Sequence, residues 1–76
     1  VGETYTEAQA IAALRRLARR WPSRLKLISW SGALVVIDKD LNERLIGERD
    51  GAISERAVVA QITGIPNDGG DPDSVP

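Results

Sequence analysis

LKLISWSGALVVID, residues 25–38, is the stretch that decides the fold. Leucine, isoleucine, valine and tryptophan crowd its two halves, 25–30 and 33–38. Such β-branched and aromatic side chains suit a pleated surface. Ser31-Gly32 lies between the halves and suits a tight hairpin, because glycine accepts the positive φ that such a turn requires. A two-residue turn pairs Trp30 with Ala33, Ile28 with Val35 and Lys26 with Ile37, and places Leu25, Leu27, Leu34 and Val36 on the opposite face. Both faces are then substantially apolar. Helices can cover one; the other must meet a second element, a partner or solvent.

Upstream, TEAQAIAALRRLARRW (6–21) reads as an amphipathic helix. Ala10, Ile11, Leu14, Leu17, Ala18 and Trp21 recur at three- and four-residue spacing and share one face. Thr6 and Gln9 have capping-box spacing, and Tyr5 is placed to close the start as a staple. Glu7 in the first turn and arginines in the last turns suit the helix dipole, and Pro22 stops the run. Downstream, 39–43 reads as a polar turn and 44–48 (RLIGE) as a short third strand. The competing reading there is a helical turn, from the cap spacing of Asp40 with Glu43 and the four-residue spacing of Leu41 and Leu45. Asp50-Gly51 marks another turn. Ser54 is expected to cap a second helix over 54–63, with Val58, Ile62 and Ile65 facing inward. Residues 66–76, PNDGGDPDSVP, have almost nothing to bury and read as a mobile acidic tail. The expectation is one α+β domain over 1–65 in two layers: helix, antiparallel hairpin or meander of two or three strands, helix.

The chain has 76 residues, too few for more than one domain, and small domains of this kind often gain stability by associating. A homodimer is therefore among the partners to consider. There is no cysteine and no histidine. Disulfides, thiolate nucleophiles, cysteine-based metal sites and the usual general base are thus excluded together. Small secreted domains usually carry disulfides, so a reducing cytoplasm is expected. No apolar run approaches a membrane span and no signal-peptide pattern opens the chain. With no methionine present, Val1 reads as a processed or alternative start or a cloning boundary.

Two stretches carry a family resemblance. In WPSRLKLISWSGALVVI (21–37), Trp21, Pro22, Leu25, Leu27, Ser29, Ser31, Gly32, Leu34 and Val36 match a pattern of Trp-Pro, spacer, apolar strand, Ser-x-Ser-Gly turn and second apolar strand. In VVAQITGIPNDGGD (58–71), Ile65, Pro66, Asn67, Asp68, Gly69, Gly70 and Asp71 match a closing Ile-Pro-Asn-Asp-Gly-Gly-Asp. In this the chain resembles a family of small uncharacterised proteins encoded by bacteriophages and prophages. Lys26 and Trp30 depart from the pattern, which has an aromatic near the first and a small residue at the second. The resemblance implies a phage accessory protein in the cytoplasm of a host bacterium, and no particular activity.

Charge is segregated along the chain. Arg15, Arg16, Arg19, Arg20, Arg24 and Lys26 form a block of +6, and residues 8–37 contain no acid. Lys39, Arg44, Arg49 and Arg56 stand against all eleven acids, a remainder of −7 and a net charge of −1. On the helix the arginines oppose the Leu14–Leu17–Trp21 stripe. They can track phosphates, dock an acidic protein, or simply occupy a solvated helix back and complement the dipole. The sequence pI of about 5.3 is far below the ~9 of dedicated nucleic-acid domains. Trp30, at the hairpin tip, is a candidate binding hot spot as well as candidate core, whereas Trp21 reads as core. Asn67 to Asp73 offers three carboxylates, but lacks the ligand alternation and closing bidentate acid of a calcium loop. Catalysis would have to rest on Asp38, Asp40, Glu43, Glu48 or Ser31, in a turn region with no histidine partner and no phosphate loop. The expected role is a non-enzymatic interaction module with no cofactor and no metal. Arg15, Arg16, Arg19, Arg20, Arg24 and Trp30 are its candidate contact residues for a host or phage protein. The alternative is a small nucleic-acid-binding module using the same arginines.

Overall fold

The computed structural model describes residues 4–47 and 51–76. Val1, and the Glu48, Arg49 and Asp50 of the expected third strand and turn, lie outside the described residues. The hairpin forms in the expected register: β1 (Leu25–Trp30) pairs antiparallel with β2 (Ala33–Asp38), Trp30 opposite Ala33 and Lys26 opposite Ile37. Ser31 at φ 51° and Gly32 at φ 88° make the turn, the positive pair that matches strand twist. β2 is the central strand, and Ala33, Val35, Val36 and Ile37 are buried along it.

α1 (Glu7–Arg19) carries the expected capping box. The Gln9 amide donates to Thr6 Oγ1, and the Thr6 amide donates to Gln9 Oε1 at 2.9 Å. Its last turn tightens, with the Arg20 N–H on Leu17 O at 3.1 Å, before Pro22. Tyr5, expected to staple the start, stays 66% exposed.

Two elements differ from the expectation. The described part of the expected third strand, residues 44–47, is not a strand: Lys39–Ile46 is helix α2. The competing helical reading was the right one, although its cap is Asp38, whose Oδ1 accepts the Leu41 amide at 3.0 Å. Gly47 ends it at φ 62°. The third strand comes instead from the segment expected to be the second helix. Ser54 does cap, accepting the Arg56 amide, but only for the single 3₁₀ turn Glu55–Ala57. The chain then runs into β4 (Val58–Ile62), antiparallel to β2. Val58, Val59 and Ile62 are β-branched, and the open edge of β2 offers them a ladder that one helical turn cannot match. Ile37 pairs with Val58 and Val36 with Ala60, so Val59 is the extra residue of a bulge. The sheet order is β1-β2-β4.

The core lies on one face of that sheet. Val35, Ile37 and Ile53 are buried together, and Ile28 and Trp30 pack against them. Asn42, buried on α2, locks this layer. Its Nδ2 donates to Ala52 O (3.2 Å), and its Oδ1 accepts the Ser54 amide (2.6 Å). The other sheet face carries Leu25, Leu27, Ser29, Leu34 and Val36, continued on β4 by Ala60 and Ile62.

Residues 66–76, expected as a mobile tail because composition gave nothing to hold them, carry hydrogen bonds to the domain. β5 (Ser74–Val75) runs parallel to β3 (Ile53–Ser54), and the Ile53 amide donates to Asp73 O at 2.8 Å. Polar backbone pairing, which composition does not register, makes the attachment.

Candidate functional site

The fold encloses α1 very little. None of its residues is buried. Ile11 is 43% exposed, Leu14 63% and Leu17 50%, so the stripe expected to face the core faces outward along much of its length. Its anchor is at the C-terminal end. There the half-buried Trp21 donates from Nε1 to Leu25 O at 2.8 Å, tying the helix exit to the start of β1.

The opposite side of α1 holds the charge. Arg15 and Arg19 are one turn apart, as are Arg16 and Arg20, and all four are exposed. Among the described residues none of these guanidinium groups has an ion-pair or hydrogen-bond partner. Arg24 is also exposed, in the loop to β1, and its carbonyl accepts the Lys39 amide at 2.7 Å. The helix therefore presents two unlike surfaces back to back: a row of four cations and an apolar stripe.

Beside the stripe is a groove of about 360 Å³ lined by Leu14, Leu17 and Ala18 of α1, by Trp21 just past the helix, and by Leu27 of β1. Leu27 is 45% exposed. Helical periodicity finds this face but does not reveal that it is left open. The signal was in the hairpin, whose two apolar faces exceed what the remaining elements can cover.

Trp30 divides its surface. One part packs on the Val35–Ile37–Ile53 cluster; another lines a cleft of about 350 Å³ with Ser31, Val35, Glu55, Val58 and Gln61. It lies on the core face of the hairpin, and no contact places it with the α1 arginines.

The two motifs that carry the family resemblance meet in space. Ser29 Oγ donates to Asn67 Oδ1 (2.7 Å) and accepts the Gly70 amide (3.0 Å). The Ser31 amide donates to Gly70 O (2.7 Å), and Asn67 Nδ2 donates to Gly32 O (2.9 Å). Gly70 sits so close that a Cβ there would lie 3.0 Å from Ser29 O, which is why this position takes glycine. Asp68 joins the same cluster. Its carboxyl is held below its ordinary value first by hydrogen bonding from Ser29 and then by the Gly70 N–H, against a smaller opposing effect of burial. The Ser29 hydroxyl has one proton to give, so Asn67 and Asp68 compete for it. These motifs make a joint between hairpin and C-terminal segment.

The remaining candidate carboxylates are dispersed. Asp38 is occupied in capping α2, and Asp40 and Glu43 are exposed on that helix. Ser31 sits in the hairpin turn; Glu48 lies outside the described residues. Among the described residues no group of three or more acidic side chains is placed to hold a metal ion. No described helix is long and apolar enough to cross a membrane. Compared with known family models, curated proteins and solved structures, the chain finds no match.

Proposed function

We propose that this chain is a non-enzymatic interaction module that docks an acidic protein surface on the arginine face of α1. One observation carries the reading: Arg15, Arg16, Arg19 and Arg20 stand exposed and, among the described residues, unpaired, on a helix that buries none of its own side chains. A helix that contributes so little to its own core, with its cations in two adjacent rows, is arranged for contact with something else. Segregated charge of this kind speeds encounter and fixes orientation. The phage-type resemblance gives the proposal its setting, an accessory protein acting on a host or phage protein in the bacterial cytoplasm.

The same row of guanidinium groups is also the ground for the second reading, contact with nucleic-acid phosphates. A titration at low and rising salt separates the two. A glutamate-rich helical peptide is expected to bind at low salt and to weaken as salt rises, and the double reversal Arg16→Glu, Arg20→Glu to abolish binding while the helical circular dichroism persists. An oligonucleotide bound with a steep log–log salt slope would instead establish the phosphate reading. Binding of neither at low salt would end both.

A further inference from the structure

The apolar side of α1 is distinct from its arginine face and carries a separate inference. The accessible surface of the chain is 6003 Å². A compact monomer of 8.2 kDa should expose about 4,500 Å², so roughly 1,500 Å² is in excess. Its radius of gyration is 14.2 Å, against about 11 Å for a compact domain of this length. A stable dimer needs about 800 Å² from each partner, and the excess accommodates that. A helix of 13 residues with no buried side chain is, in addition, near the limit of what stands alone in water.

The groove has a specific shape. Its α1 residues are Leu14, Leu17 and Ala18, and Trp21 lies just past the helix end. Leu14, Leu17 and Ala18 are positions i, i+3 and i+4, three sides of a hole for a knob from a facing helix, and Trp21 closes the fourth. One turn earlier on the same stripe, Ile11 is 43% exposed. In an antiparallel pair centred on Leu14, Ile11 of each copy falls opposite Leu17 of the other, over that hole. The arrangement is self-complementary, as an interface with two-fold symmetry must be. It brings Glu7 at the start of one helix to the Arg20–Trp21 end of the other, and it leaves the rows of Arg15 with Arg19 and Arg16 with Arg20 directed away from the seam.

We propose that the occupant of this groove is a second copy of the chain: α1 pairs antiparallel with α1 of its twin, Ile11 of each filling the Leu14–Leu17–Ala18–Trp21 hole of the other. This stands whether or not the arginine face binds an acidic partner. It is tested on the full chain by sedimentation equilibrium across a wide concentration range, together with cysteine cross-linking. The chain has no cysteine of its own, so a single one reports cleanly. The expected mass at high concentration is twice 8.2 kDa, falling to 8.2 kDa in Ile11→Glu. Leu14→Cys, at the two-fold axis, is expected to form an intermolecular disulfide on mild oxidation at least ~10-fold faster than Arg16→Cys on the opposite face. The cross-linking comparison serves even if Ile11→Glu fails to fold. A mass of 8.2 kDa at every concentration would overturn the proposal, including a monomer that instead takes up an unrelated amphipathic helix. So would a dimer unmoved by Ile11→Glu, or equal cross-linking at the two cysteine positions.

Discussion

At the scale of single residues, the hairpin tip concentrates what is specific about this chain. Ser31 is the one non-glycine among the described residues at positive φ, and its left-handed conformation costs about 1–2 kcal/mol. The compensating contact is local: its amide donates to Gly70 O at 2.7 Å. Asparagine tolerates that conformation better and keeps the amide. Ser31→Asn is therefore expected to raise stability by about 0.5–1 kcal/mol in urea unfolding. Asp68 adds a pH dependence to the same joint. Its carboxyl titrates below the ordinary 3.8 in the folded chain because Ser29 and the Gly70 N–H hold the charged form. A group with a depressed folded pKa stabilises above its unfolded pKa, and loses that contribution as pH falls through the folded one. Exchange of the Ser31 amide should thus quicken between pH 5 and pH 3 beyond its intrinsic trend, and the extra change should vanish in Asp68→Asn. None of this was readable from residue types, since it depends on two segments some forty positions apart coming together. What the sequence did contain was the pair of motifs; the structure brings them into contact.

At the scale of elements, the hairpin and α1 were legible because their signals are local and redundant. The Ser31-Gly32 turn, the two apolar strands and the Thr6/Gln9 capping box each act within a few residues. The second half was not, because there the local signals compete. Ser54 offers a cap and Val58, Val59 and Ile62 offer a strand; the vacant edge of β2 decided between them. Residues 44–48 offered only a short apolar run, while Asp38 supplied a cap that had been read as strand end. Asn42 is the element-level residue with no sequence signal at all. It is an ordinary polar residue on a helix until the fold buries it against Ala52 O and the Ser54 amide. Asn42→Ala should cost about 2–4 kcal/mol by urea titration, because it leaves two buried backbone groups unpaired. An Asn42→Ala variant within ~0.5 kcal/mol of the parent would mean that water replaces the side chain.

At the scale of the whole molecule, the organising feature is the separation of a small core from a helix that stands beside it. β2, α2 and the β3 segment build the main cluster of Val35, Ile37 and Ile53 against one sheet face; α1 attaches through Trp21 and offers its two flanks outward. The charge block was visible in the sequence, and so was the amphipathic stripe. That both would be exposed was not, because periodicity shows which residues share a face and is silent on what covers it. Hydrogen exchange resolved along the chain tests this most directly, at protein concentrations from dilute to high. In dilute solution the amides of Glu7–Arg19 should exchange orders of magnitude faster than those of β2, and their protection should rise with concentration while that of β2 stays constant. Amides of α1 protected to the same extent as β2 in dilute solution, and indifferent to concentration, would show that the helix belongs to the core and would contradict the account.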